Sequence, residues 1–344
     1  MTKLQTTGVE EIRNSFDSAV RKYQNQLTEI ESLQEKIGGE FNQDLQGLIN
    51  DSTDEIEAAC HNFETNCYGS PTELKGIKTE FRKAISPWYS KSYLMTRATT
   101  KPRGFPGDFM LLERIYDNVP VLDSSQGIGM YLDRWFLDSH LALAVRNRKD
   151  YMRNLLVSRL NERKDRAFNI LNLASGPCRE WQELPSSLNL KNVKLTCVDI
   201  DQEALDYLRT NLNELEESGL ELVTANENII KMALRKKEET EKKYGLQDLV
   251  YSIGLFDYLP DSMLAKVISR SYDLLKENGS MVLAFKDREK YQTTRYDWLT
   301  DWNFQPRNEQ TATEFLEKNG FKHDQMNVSR ELLNTIIFYE ITKR

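Results

Sequence analysis

From about Arg166 onward, short runs rich in apolar and β-branched residues alternate with stretches of helical pattern. This alternation constrains the fold more than any other feature of the chain. The runs are AFNILNL, VKLTCVDI, LELVTA, DLVYSIG, GSMVLAF, the segment around 321–328, and NTIIFYEITK. Strands alternating with helices over this length predict a doubly wound parallel sheet, because each parallel neighbour is reached through a crossover. Only a few residues separate the last two runs, too few for a crossover helix. The sheet is therefore expected to end in an antiparallel hairpin. The charge run KMALRKKEETEKKYG between the strands reads as a solvated helix face.

The first 164 residues have a different texture and read as an all-helical domain, leaving 165–344 for the sheet domain. Val9, Ile12, Phe16, Val20, Tyr23, Leu27, Ile30 and Leu33 follow each other at helical spacing, and Gly38-Gly39 breaks the pattern. Phe41, Leu45, Leu48, Ile49, Ile56, Cys60 and Phe63 form a second stripe, so an antiparallel helical hairpin is the simplest account. Such stripes pack into a core or against a partner helix, which leaves homodimerisation through them open. Ser70-Pro71 reads as the cap and first turn of a third helix, with Ser86-Pro87 as its end. TTKPRGFPGDFMLLERIYDN then crowds prolines, glycines and charges ahead of a helical run, with Asp108 placed to cap it. Two more helices are expected, around 129–140 and 141–160.

The formal charge of −7 argues against duplex nucleic acid as the main partner, since that association is driven by Lys and Arg neutralising phosphates. The cysteines Cys60, Cys67, Cys178 and Cys197 form no CxxC pair and no cluster with histidine, so no metal site is expected. Reduced thiols, an N-terminus without an apolar leader and the lack of a long apolar run lead to the expectation of a cytoplasmic protein without a membrane span.

The chemistry-bearing stretch is NILNLASGPCREW, residues 169–181. A strand-like run gives way to Ala174, Ser175 and Gly176, and a helical pattern follows. In open α/β sheets ligands bind beyond the carboxyl ends of the strands, at the switch point beside the first strand. Small residues there let the backbone approach a ligand closely. Asp199 closes the second run, where a carboxylate can accept both hydroxyls of a ribose. Turn and acid together point to an adenosine-containing ligand. The GxGxxG of dinucleotide sites is incomplete and no P-loop occurs.

With DLVYSIGLFDYLPDSMLAKVISRSYDLLKENGSMVLAFKD added, the region from Arg166 to the C-terminus resembles class I S-adenosylmethionine-dependent methyltransferases. The resemblance implies a Rossmann-like seven-stranded α/β sheet with an antiparallel C-terminal hairpin and S-adenosylmethionine as cofactor. It maps the first motif onto Asn172, Ala174, Ser175 and Gly176, the ribose acid onto Asp199 with Ile200 beside the adenine, and the third motif onto Asn228 and Ile229. Ser252, Gly254 and Phe256 follow as the loop after the fourth strand. The family usually has Asp or Glu where Asn172 stands, and Gly where Ala174 and Cys178 stand. KPRGFPGD, IYDN, AVRNR, LNLASGPCRE and DWNFQPRNEQ, in that order, resemble a bacterial group that makes methyl esters of 3-hydroxy fatty acids. That likeness adds Arg103, Asp108, Tyr116, Arg148, Trp302 and Arg307 as candidates for holding a carboxylate, of the substrate or of the cofactor, from a helical cap. A surface or interdomain ion pair is the plain alternative for each arginine.

Tyr258 and His140 are the acid/base candidates, with ordinary packing as the alternative for each. Arg179 opposes the dipole at the start of its helix, which suggests a partner elsewhere. The expected activity is methylation of a small molecule, a carboxylate such as a fatty acid first. An amine or hydroxyl acceptor is the alternative, and a non-catalytic cofactor-binding scaffold the third reading.

Overall fold

The computed structural model describes residues 3–37, 41–66, 70–120 and 127–344, so the Gly38-Gly39 break and Cys67 lie outside the described residues. The chain forms two compact units. One comprises Met1–Ala142 with Gln292–Asn303, the other Leu143–Tyr291 with Phe304–Arg344.

The first unit is helical. Helices α1 (Lys3–Lys36) and α2 (Gln43–Asn66) run antiparallel, since Phe16 meets Phe63 while Tyr23 meets Thr53 further along. Their stripes form the core, with Phe16, Tyr23, Leu27, Ile30, Leu45, Ile49, Ile56, Cys60 and Phe63 buried. Phe41 and Leu48 depart from the expected stripe and are exposed. Phe41 precedes α2 and stacks on Tyr131 at 5.5 Å. Helix α3 (Pro71–Tyr89) starts as expected, with the Ser70 side chain accepting from Glu73 N–H. It does not end at Ser86-Pro87 but carries Pro87 inside its last turn. A proline there leaves the Lys83 carbonyl without its backbone donor, and the Ser86 hydroxyl donates to that carbonyl at 2.9 Å instead. Helices α4 (Tyr93–Thr100), α5 (Phe109–Asp117) and α6 (Gly129–Leu137) follow. The excursion 292–303 joins this unit through Trp298, whose ring lies among Phe16, Phe63 and Phe81. The Trp298 indole N–H donates to Glu64 at 2.7 Å. Helix α7 (His140–Glu162) carries the division between the units near its start.

The second unit holds a seven-stranded sheet with strand order β3-β2-β1-β4-β5-β7-β6. Its strands are β1 (Phe168–Leu173), β2 (Val193–Asp199), β3 (Glu221–Asn226), β4 (Gln247–Ser252), β5 (Leu275–Lys286), β6 (Met326–Arg330) and β7 (Ile336–Thr342). Strands β1 to β5 pair in parallel, and β7 pairs antiparallel with both β5 and β6. The expected α/β sheet with its antiparallel C-terminal pair and preceding helical region is thus the observed fold. Along β1 the side chains alternate between two apolar clusters, Ile170 in one and Leu171 in the other, as a strand covered on both faces requires. The charge run splits into two short helices, Ile229–Leu234 and Lys237–Tyr244. Solvent covers most of the second, while Thr240 and Tyr244 face inward. Strand order reverses between β1 and β4, which puts the switch point at their carboxyl ends. Among the described residues no helix is long and apolar enough to cross a membrane.

Candidate functional site

The turn after β1 adopts the tight path its small residues permit. Ala174 and Gly176 both have φ +52°, and Cys178 has φ +56°. A single helical turn, α8 (Arg179–Gln182), follows, so the turn leads into no long helix. Backbone and carboxylate interlock here. Ser175 N–H donates to the Val198 carbonyl at 3.2 Å, and Gly176 N–H donates to Asp199 Oδ2 at 2.8 Å. Asp199 Oδ1 accepts from Asp201 N–H at 2.9 Å, while Asp201 itself caps the helix Gln202–Asn211. Burial pushes the Asp199 carboxyl above its ordinary range, against the pull of those backbone donors. A carboxylate offers about four lone-pair sites, of which the backbone uses two, so one on each oxygen remains.

Beneath the turn lies a buried polar network that the sequence did not announce. Asn172 Nδ2 donates to Glu180 Oε1 at 3.2 Å, Tyr251 O–H donates to the same oxygen at 2.6 Å, and Trp181 N–H donates to Tyr251 O at 2.9 Å. Cys178 and Cys197 bring their sulfurs to 3.8 Å in the same place. Burial raises the Glu180 carboxyl, and the Tyr251 phenol well above its usual value. The Glu180 carboxylate points inward, to Asn172 and Tyr251. Arg179 Nε donates to Glu183 Oε1 at 2.9 Å, a partner one turn along its own segment.

Three buried polar atoms around the switch point have no hydrogen-bond partner: Ser175 Oγ in the turn after β1, Ser252 Oγ at the end of β4, and Arg148 Nε on α7. Arg148 is 3% exposed. Its guanidinium lies over Gly254, where a methyl group built on the glycine would meet its nitrogens at 3.7 and 3.8 Å.

The structure also shows what the other named residues do. Ile200 is exposed beside Asp199, whereas Ile229 belongs to the apolar core. Asn228 Oδ1 accepts from Ile230 N–H and Lys231 N–H at 2.9 and 3.2 Å, which engages both of its lone pairs in capping a helix. Phe256 is buried in the core. Arg307 is engaged by the chain itself, donating to the carbonyls of Phe256 (3.2 Å) and Leu259 (2.9 Å) and to Asp261 (2.6 Å). Half-buried Tyr258 lies in the short 3-10 turn after β4, its ring 5.5 Å from Phe304.

Arg103, Asp108, Tyr116, His140 and Trp302 belong to the first unit. Asp108 caps α5 through Leu111 N–H at 3.0 Å and pairs with Arg97 at 2.7 Å. Arg103 lies over the Phe109 ring at 4.9 Å, and Tyr116 is half-buried on α5. Trp302 stacks on Phe136 and presses on Gly107, where an added Cβ would come within 2.4 Å of the indole. His140 is the exposed first residue of α7.

Sequence reasoning missed Lys286. It ends β5, is 4% exposed, and donates to Asp257 Oδ2 at 2.7 Å, while its backbone N–H donates to Asp257 Oδ1 at 2.8 Å. Phe304 covers the ammonium at 4.1 Å and Tyr258 at 5.7 Å. Burial lowers its pKa most, with Asp257 opposing and the Arg148 cation adding to the effect. A lysine closing the apolar run GSMVLAF was the available signal. Among the described residues no group of His, Cys, Asp and Glu is arranged to hold a metal ion.

No protein-family model matches the chain, and no curated protein matches its sequence. Among solved structures it is similar to a possible exported protein from Bordetella parapertussis, with 17% identity, 96% of each chain covered and a TM-score of 0.53. That likeness shows the fold. The chain is also similar to magnesium protoporphyrin IX methyltransferase from Synechocystis PCC 6803 with bound SAM (12% identity, 60% of this chain and 84% of that one, TM-score 0.41). A third similar structure is the CurJ carbon methyltransferase (11% identity, 99% and 97% covered, TM-score 0.47).

Proposed function

We propose that the chain is an S-adenosylmethionine-dependent methyltransferase that esterifies a small carboxylic acid. The observation that carries this reading is the set of buried polar groups without protein partners, Ser175, Ser252 and Arg148, gathered around the switch point. Buried polar groups are ordinarily hydrogen-bonded, and three such exceptions at the place where α/β sheets bind ligands call for a polar ligand. The amino-acid end of the cofactor supplies both a carboxylate and an ammonium. A guanidinium suits the former, and serine hydroxyls can serve either.

Asp199 fits the ribose, since its two remaining lone-pair sites can accept the two hydroxyls. Ile200, exposed beside it, offers an apolar face to the adenine. Asn228 serves its own helix and takes no part through its amide oxygen. Arg307 and Asp108 likewise hold their own segments.

When bound, the cofactor supplies an electrophilic methyl group on a sulfonium. The protein's part is then to align an acceptor oxygen in line with that group and to keep water away. A carboxylate is already a nucleophile, so no general base is required. An amine or hydroxyl acceptor is the second reading, favoured by the lowered pKa of Lys286, and would need a base. The two differ in their pH–rate profiles. An acidic limb reporting the protonation of a protein base belongs only to the second.

The test is calorimetric titration with S-adenosylmethionine, S-adenosylhomocysteine and NAD. The expected result is micromolar binding of the first two, none of NAD, and loss of binding in Asp199→Ala. Unchanged affinity in that variant would refute the site.

A further inference from the structure

We propose that Lys286, paired with Asp257 beneath Phe304 and Tyr258, is the specificity residue that receives the negative charge of the acceptor. The proposal rests on the methyltransferase reading and extends it to a residue outside the cofactor site.

Position is the first argument. The carboxyl edge of the sheet runs in the order β2, β1, β4, β5. Asp199 closes β2, the small turn follows β1, Ser252 closes β4 and Lys286 closes β5. At roughly 4.8 Å per strand, Lys286 lies about 14 Å along the edge from Asp199. A cofactor with its ribose at β2 and its amino-acid end near Ser175 and Ser252 leaves the end of β5 to the acceptor. Register agrees. Ser252 pairs with Leu283, so Lys286 continues β5 past the end of β4, level with the loop that contains Gly254 and Asp257.

Hydrogen bonding is the second argument. An ammonium has three donors. Among the described residues Asp257 Oδ2 is the only acceptor that Lys286 Nζ reaches. The aromatic faces of Phe304 and Tyr258 attract a cation but accept no conventional hydrogen bond. Such a lysine keeps donors for an incoming carboxylate and loses no existing bond by using them.

Charge balance is the third. Arg148 and Lys286 act on each other as like charges, with Asp257 the carboxylate in direct contact. Burial raises the Glu180 carboxyl, which Arg148 opposes only as the smallest of several influences. Lys286 and Arg148 are thus two buried cations with one carboxylate in direct contact, and a buried cation is costly without a counter-ion. S-adenosylmethionine does not correct it, because its ammonium and sulfonium outweigh its single carboxylate. An anionic acceptor does. The Phe304 and Tyr258 rings, with Tyr291 6.3 Å from Phe304, supply an apolar wall for the body of that acid.

The experiment separates this proposal from the cofactor reading. With the protein saturated in S-adenosylhomocysteine, octanoate and benzoate are titrated beside octanamide and benzamide, which match them in shape and lack the charge. The expected result is at least one acid bound tenfold or more tighter than its amide. Lys286→Met should erase that preference with S-adenosylhomocysteine affinity within about threefold of wild type, and Lys286→Arg should restore part of it. Because Lys286→Met strands the Asp257 carboxylate, the Lys286→Met/Asp257→Asn double variant is measured alongside. Retained S-adenosylhomocysteine binding reports that it folds. An acid bound no tighter than its amide by the wild type overturns the proposal while the cofactor reading stands. So does a preference that survives in the folded Lys286 variants. Failure of the wild type to bind S-adenosylhomocysteine overturns both.

Discussion

Arg307 and Arg148 are equally buried, 5% and 3% exposed, and lie in very different surroundings. Arg307 spends its guanidinium on the chain itself. It holds two carbonyls of the segment after β4 and one carboxylate, while Gln305 N–H donates to the Asp257 carbonyl beside it. Arg148 makes no hydrogen bond among the described residues and lies over a glycine. The sequence offered both as carboxylate holders on equal terms. The difference teaches that a buried cation is assigned by its partners, since one whose donors are used holds the fold together and one whose donors are not carries a cost the chain leaves unmet.

The largest expected effect tests the first half of that contrast. Arg307→Met orphans the Phe256 and Leu259 carbonyls and should lower unfolding stability by about 3 kcal/mol in a urea titration. A loss below about 1 kcal/mol would put Arg307 back among the ligand-binding candidates. Next, Arg148→Met should weaken S-adenosylhomocysteine ten- to a hundredfold, about 1.4–2.7 kcal/mol, without lowering the urea midpoint, because it removes an unpaired buried cation. A lowered midpoint with intact binding would make the two arginines alike.

A smaller effect sharpens the comparison with the network that faces Arg148. The Glu180 carboxyl is raised in the fold, so between that value and its unfolded pKa the native state binds a proton that the unfolded state lacks. Stability from this group accordingly rises as pH falls through that window and is lost as pH rises. Glu180→Gln keeps an acceptor for Tyr251 and Asn172, and its unfolding free energy should be flatter across the window than that of the wild type. Equal slopes would mean that Glu180 stays charged. Least of all, Gly254→Ala should change stability by less than about 0.5 kcal/mol, since its Cβ meets Arg148 at 3.7 Å, an ordinary contact. A large loss would mean that Arg148 is packed more rigidly than an unbonded side chain should be.

Much of the fold was legible because it depends on local pattern. Period-two and period-3.6 runs marked the strands and most helices, and cap chemistry placed Ser70 and Asp108 correctly. The end of α3 was misjudged because a side chain, Ser86, replaced the donor that Pro87 lacks. In the site, Gly176 and Asp199 could be paired from their places on the topology, and they do touch. Lys286 and the Glu180–Tyr251 contact could not be found that way, since their partners come from segments 29 and 71 residues distant.

The sequence by itself determined that this chain builds a doubly wound sheet with an acid and a small turn at its switch point. Hydrophobic period, turn residues and crossover length act over short distances and leave few other solutions. Tertiary structure alone decided which charged groups are engaged by the chain and which are not. Arg307 is tied and Arg148 is not, although both are buried arginines in the same unit. The physical reason is that the cost of a buried charge depends on every donor and acceptor within about 4 Å, and only folding brings those groups together.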